Sequence, residues 1–281
     1  ALGEVEQAVT YLQTALEIIR ETGDRNAEGN ALGNLGMAHF QQGHTRQAIQ
    51  YYEQALATAR SIGNRRAEGS FLGNLGNAFY CLGYMQEALS YHGQALIIAR
   101  EIGNRRGEAA DLSNIGLVHT AQGNIAQAIE CHEQALTIAQ EIEDRQGEGS
   151  YLGCLGIAYA GYGRIDQAIQ YYNRGLEIAV TLGDQRNEAI HLGNLGLAYA
   201  TVQELQQAIV CYERALSLAR KVRDRRGEAT HLTNMGQAYT GLGNLSYAQT
   251  LWSEALAIFE AIESPNAQKL REWLAKGEGK A

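Results

Sequence analysis

The segment LGNLG occupies residues 32–36. It recurs unchanged at 72–76 and 192–196, as LSNIG at 112–116, LGCLG at 152–156 and LTNMG at 232–236. Its surroundings are helical in character, yet glycine inside a helix costs about 0.8–1 kcal/mol relative to alanine. The position of Gly36 is glycine in all six copies and that of Gly33 in four, with Ser113 and Thr233 as exceptions. Ten such glycines cost about 8–10 kcal/mol, comparable to the stability of a whole domain. Packing or function must offset that cost.

The copies are spaced by forty residues, and shifting the chain by forty superimposes it on itself without a gap. GDRNAEG, GNRRAEG, GNRRGEA, EDRQGEG, GDQRNEA and RDRRGEA begin at 23, 63, 103, 143, 183 and 223. QAIQYYEQAL, EALSYHGQAL, QAIECHEQAL, QAIQYYNRGL and QAIVCYERAL begin at 47, 87, 127, 167 and 207. Self-similarity at such a period decides the architecture. The reading is a half repeat at 1–23, six repeats at 24–63, 64–103, 104–143, 144–183, 184–223 and 224–263, and a capping helix with tail at 264–281.

Each repeat reads as two helices. Helix A is predicted from Arg25 to Gln42, with Asp24 as N-cap. Its column continues as Asn64, Asn104, Asp144, Asp184 and Asp224, all residues that accept from orphan N–H groups. Gly43, Gly83, Gly123, Gly163 and Gly243 end the A helices. Gln203 holds that place in the fifth repeat, so a less well-formed turn is expected there. Helix B is predicted from Thr45 to Ile62, with Ala48, Tyr52, Ala55, Leu56 and Ala59 on one face. One pair cannot bury that face alone, so neighbouring pairs must stack. After the last repeat, Pro265 suits a helix start, and Leu270, Trp273 and Leu274 are placed to cover the final pair. The fold class is all-α.

The net charge of −8 argues against non-specific nucleic-acid binding. No apolar run approaches the roughly 20 residues of a membrane span, and no leader peptide is visible. The four cysteines form no CxxC pair and are too sparse for a disulfide framework, which points to a reducing, cytoplasmic setting. The chain starts with Ala, in mid-repeat and without a cap, and is read as a piece of a longer protein. No phosphate loop, dinucleotide fingerprint, nucleophile elbow or HExxH is found. The expectation is therefore no enzyme, no catalytic residue, no metal and no cofactor. The histidines fall in structural columns. His39 and His119 stand at a tyrosine place of helix A, His92 and His132 at one of helix B, and His191 and His231 share a column.

LGMAHF at 35–40 with Ala48, Tyr52 and Ala55, then LGNAFY at 75–80 and LGIAYA at 155–160, resemble the tetratricopeptide repeat. The resemblance covers nearly the whole chain. The forty-residue spacing is similar to that of the Pins-type adaptor with Leu-Gly-Asn repeats, of kinesin light chain, and of prokaryotic arrays on nucleotide-switch ATPases. It implies a right-handed α-solenoid of antiparallel helix pairs. It also implies a protein–protein interaction scaffold that holds a partner's peptide or helix along a concave groove lined by A helices. The alternative is a sensor or oligomerisation arm of a larger signal-transduction ATPase, and self-association stays open.

Column by column, Leu35 and Gly36 are expected to face helix B, with the glycine permitting close approach. Gly33 has two readings, packing of one A helix on the next or a bare trough for a ligand backbone. Asn34, Asn74, Asn114, Asn194 and Asn234 form one column, broken by Cys154. Each amide has one acceptor and two donors, so the row could pair with peptide groups of an extended ligand or bond to the neighbouring repeat. Similar arrays use such a ladder for ligands. Met37, Asn77 and Leu117, with Phe40 and Tyr80, complete the candidate surface of the early repeats. The Pins-type adaptor sets arginines just ahead of this segment. Asn30, Ser70, Ala110, Ser150, Ile190 and Thr230 stand there instead, so its preference for acidic partners does not transfer. Arg25, Arg65, Arg105, Arg145 and Arg225 precede Glu28, Glu68, Glu108, Glu148 and Glu228 by three residues. They are read as ion pairs within and between repeats, with a basic docking edge as the other reading.

Overall fold

A computed structural model describes residues 2–278, with side chains placed for 9–275. Residue 1 of the expected half repeat and residues 279–281 of the tail lie outside the described residues. Fourteen helices and no strand are present among them. They group into two compact units, Ala1–Asp144 and Arg145–Ala281. The first contains α1 (Leu2–Thr22), α2 (Arg25–Gln41), α3 (Thr45–Ser61), α4 (Arg65–Cys81), α5 (Met85–Glu101), α6 (Arg105–Ala121) and α7 (Ile125–Glu141). The second contains α8 (Arg145–Gly161), α9 (Ile165–Leu182), α10 (Gln185–Thr201), α11 (Leu205–Lys221), α12 (Arg225–Gly241), α13 (Leu245–Ala261) and α14 (Asn266–Glu278). Within each unit, consecutive helices pack on one another as α-solenoid pairs. The A helices are the even-numbered ones from α2 to α12.

Five of the six predicted N-cap residues are seen accepting from helix amides. Asp24 accepts from the amides of Asn26 and Ala27, Asn64 from Ala67, Asn104 from Gly107, Asp184 from Asn187 and Asp224 from Gly227. Gly43, Gly83, Gly123, Gly163 and Gly243 take positive φ after the A helices. The expectation for Gln203 is corrected. It adopts φ 63° itself, and its turn closes with Glu204 N–H donating to the Tyr199 carbonyl at 2.9 Å. The equivalent bond at Gly243, from Asn244 to Tyr239, is the same length. The turn is complete, and its cost is one side chain in the left-handed region, about 1–2 kcal/mol.

The six invariant glycines are explained by one contact. A Cβ on Gly36 would lie 2.5 Å from the Tyr52 ring; on Gly76, 2.6 Å from His92; on Gly116, 2.7 Å from His132. In the second unit the partners are Tyr172 at 2.3 Å from Gly156, Tyr212 at 2.5 Å from Gly196 and Trp252 at 2.4 Å from Gly236. Each helix B lays a flat ring on the bare backbone of its helix A. Ala48, Ala88, Ala128, Ala168, Ala208 and Ala248 are wholly buried on the same B helices. The Trp252 indole also donates to the Thr233 carbonyl at 3.1 Å.

Successive pairs are joined by a second contact, which makes packing the reading at Gly33, Gly153 and Gly193, while Gly73 of the same column lines an open cleft. Rings from the next A helix fill the space at the first three. Phe71 would meet a Cβ on Gly33 at 2.4 Å, and His191 and His231 would meet ones on Gly153 and Gly193 at 3.0 and 2.6 Å. A charged clasp runs alongside. Glu68, buried, accepts from Arg60 of the preceding B helix at 2.9 Å and from Arg65 at 2.5 Å. Glu108 does the same with Arg100 and Arg105, and Glu228 with Arg220 and Arg225. Burial alone would raise the Glu68 and Glu108 carboxyls, but the paired guanidinium hydrogen bonds hold them below the usual range. Glu188 lacks both arginine partners because Val180 and Gln185 stand in their places. It meets Arg214 at 3.5 Å instead.

Leu270 is buried, and Trp273 and Leu274 pack against the core of the last repeat. Gly76 and Gly93 separate packing from helix propensity, because a Cβ on Gly93 of α5 meets nothing within 4 Å. Gly93→Ala is expected to raise stability by ~0.5–1 kcal/mol. Gly76→Ala, despite the same propensity gain, is expected to lose ~1–3 kcal/mol by overpacking. Thermal or urea unfolding of the two variants checks this, and a Gly76→Ala protein as stable as the parent refutes the ring contact.

His132 gives the ring column a pH dependence. It is fully buried, with the Ser113 hydroxyl 3.2 Å from Nδ1 and no partner on Nε2. Burial pushes its pKa down to about 4, whereas an unfolded histidine titrates near ~6.5. The native state keeps the ring neutral, so its contribution is full above pH ~6.5 and is lost as pH falls toward ~4. His132→Tyr, the residue used at Tyr172 and Tyr212, is expected to reduce the stability lost between pH 7 and 4.5 by ~2 kcal/mol. Urea midpoints at the two pH values measure it.

Candidate functional site

The column that starts at Asn34 leaves the packed face within one residue of the buried Gly33. Asn34 is exposed, and Asn74 and Asn114 are half-buried in the first unit. None of the three amides hydrogen-bonds to a described residue. The neighbouring-repeat reading of the ladder is therefore without a bond in this structure. Met37 is 48% exposed on the same face. Phe40 is half-buried and packs against the core of the first repeats, so it serves the stack more than the surface. Asn77, Tyr80 and Leu117 are half-buried.

Between α4 and α6 this face opens into a cleft of about 270 Å³, lined by Ser70, Gly73, Asn74, Asn77, Asp111 and Asn114 and reached by Arg66. Asp111 is 9% exposed, and burial raises its carboxyl above the usual range. Its Oδ1 stands 3.7 Å from His92 Nδ1, beyond hydrogen-bond reach, and that nitrogen has no hydrogen-bond partner.

In the second unit Cys154 takes the asparagine place on α8. Asn194 and Asn234 are half-buried, again without a hydrogen bond to a described residue. Ile157 and Leu197, in the column of Met37, are 43% and 56% exposed. A cleft of about 220 Å³ at the end of this unit is lined by Thr230, Asn234, Gln237, Lys269, Leu270 and Trp273, among others. The Lys269 ammonium lies 5.1 Å from the Trp273 ring centroid, a cation–π contact.

Asp111, Lys269 and Trp273 line these clefts and were not among the candidate surface residues of the sequence. The signal for Asp111 was present: its column reads Ala31, Phe71, Asp111, Tyr151, His191 and His231, with one charge among apolar and ring side chains. No group of three histidine, cysteine or acidic side chains among the described residues could hold a metal ion. None of the described helices is long and apolar enough to cross a membrane.

The tetratricopeptide repeat family model matches residues 1–61, 68–141, 108–180 and 182–265. No curated protein matches the chain. Among solved structures it is similar to BtubC from P. vanneervenii, with 20% identity and a TM-score of 0.68 over 78% of this chain and 92% of that one. It is similar to a signal transduction ATPase with numerous domains from Pyrococcus horikoshii that carries a tetratricopeptide repeat sensor. The identity is 19% and the TM-score 0.74, and 95% of this chain covers 40% of that protein. A Rap protein complexed with competence and sporulation factor matches at 15% identity and a TM-score of 0.66, over 98% and 86% of the two chains. At these identities the likeness shows the fold. The chain belongs to the tetratricopeptide repeat family, whose arrays are scaffolds for binding protein or peptide partners and are typically non-catalytic.

Proposed function

We propose that this repeat array docks an extended segment of a partner protein on the exposed face of its A helices. The observation that carries the reading is the unbonded asparagine column. Exposed or half-buried amides in five of six repeats make no hydrogen bond to a described residue, although asparagine is a mediocre helix former. Each amide can donate to a ligand carbonyl and accept from a ligand N–H. Within each unit such a row reads a peptide backbone at successive points without demanding a particular sequence. Met37 in one unit, and Ile157 and Leu197 in the other, supply apolar surface to cover on docking.

A second reading coexists with the first: the array is the sensing arm of a larger nucleotide-switch protein. The likeness over 95% of this chain to an ATPase with a tetratricopeptide repeat sensor supports it. The open reading frame upstream of residue 1 tests it, and a frame with no ATPase domain removes it.

For the docking reading, a peptide recovered by display selection against the purified chain is the probe. Asn74→Ala combined with Asn114→Ala is expected to weaken its binding about tenfold or more, from two lost hydrogen bonds. Stability should change by less than ~0.5 kcal/mol, since neither amide bonds to the fold. Titration calorimetry and thermal melts read the two quantities. Unchanged affinity with lowered stability would overturn the ligand role of the column.

A further inference from the structure

We propose that the cleft between α4 and α6 seats a basic side chain, lysine or arginine, of the docked segment, with Asp111 as its counter-charge. The proposal rests on the docking reading above and names the chemistry that one subsite would select.

The starting point is a missing ring. At the equivalent place Phe71, His191 and His231 each press a ring onto the glycine of the preceding A helix, between 2.4 and 3.0 Å from where a Cβ would be. At Asp111 a short carboxylate replaces the ring and comes only to 3.4 Å of the same point on Gly73. The space given up is part of the cleft of about 270 Å³, and Asp111 is among its walls. Asp111 is 9% exposed, its side chain keeps 13% of its surface, and no described residue lies within normal hydrogen-bond distance of its carboxylate. His92 Nδ1, at 3.7 Å, pairs with it only when that ring is protonated. An ammonium or guanidinium entering from the cleft would satisfy the carboxylate with a charge-assisted hydrogen bond.

The remaining lining fits the same occupant. Gly69 and Gly73 carry no side chain that would narrow the entrance, and the Asn74, Asn77 and Asn114 amides can accept from the donors of a cationic head. The opposing charge is Arg66, exposed at the edge of the cleft. Solvent screens it more than it screens the buried Asp111. The net charge of −8 also favours approach of a basic segment.

The test uses the full chain and a degenerate dodecapeptide display library, followed by calorimetry on the selected peptides. The expected result is enrichment of lysine or arginine at one fixed position. Replacing that residue by norleucine should weaken binding about tenfold. Asp111→Asn should cause a similar loss for the basic peptide and none for its norleucine version, the coupling that a double-mutant cycle isolates. Asp111→Glu should keep the preference for the basic residue, and Arg66→Gln should strengthen it. Peptides that bind through Asn74 and Asn114 with no basic preference would overturn this inference and leave the docking reading standing. So would a basic preference that survives Asp111→Asn. A chain that binds no peptide overturns both. If Asp111→Asn fails to fold, the norleucine comparison on the parent decides, because equal affinity for both peptides overturns the subsite.

Discussion

A flat ring lying on a bare helix backbone is the contact on which the rest of this structure depends. Gly36 and its five equivalents let helix A approach helix B until the Tyr52-type ring touches main chain. Every other feature of the pair follows from that approach. The fully buried alanines of helix B are small because the helices are close, and Leu35, Leu75, Leu155 and Leu195 are almost wholly buried beside them. The propensity lost at each glycine is offset by dispersion contacts across a whole ring face. Tyrosine, histidine and tryptophan all fill the place, which shows that flatness and size matter there more than polar chemistry.

Within a unit, one pair attaches to the next through a ring on the Gly33 column and a glutamate held by two arginines. The two devices differ in their demands. The ring contact tolerates histidine for phenylalanine, while the clasp needs charge on both sides. At Glu188 the arginines are gone, and the fold persists with Arg214 reaching in from α11 at 3.5 Å. The apolar contact therefore carries the stacking, and the ion pairs, with their arginines about half exposed, add a modest increment.

Most of the architecture was legible in the sequence because the period exposes columns. Caps, turns and the core face of helix B each appear six times over, so local ambiguity averages out. What the columns could not tell was which neighbour a residue meets. Gly33 stayed ambiguous because its partner, Phe71, lies thirty-eight residues on and belongs to a different column. Gln203 was misjudged from its side chain, although the hydrogen bonds of the turn act on the backbone and impose its conformation. Asp111 is hidden from a reading by columns because columns show what repeats, and Asp111 breaks the pattern of its own. The asparagines were readable as a row, but only the structure shows that no described residue bonds to them.

The two key separations, sixteen residues from Gly36 to Tyr52 and thirty-eight from Gly33 to Phe71, are both shorter than one period. An in-frame loss or duplication of forty residues inside a unit would re-form both contacts at the new junction from interchangeable partners. Such a chain can thus change its length in whole modules during DNA replication without passing through a sequence that cannot fold. The positions that resist this exchange are the individual ones. A copy number change that deleted the module with Asp111 would leave the scaffold intact and erase what distinguishes its surface.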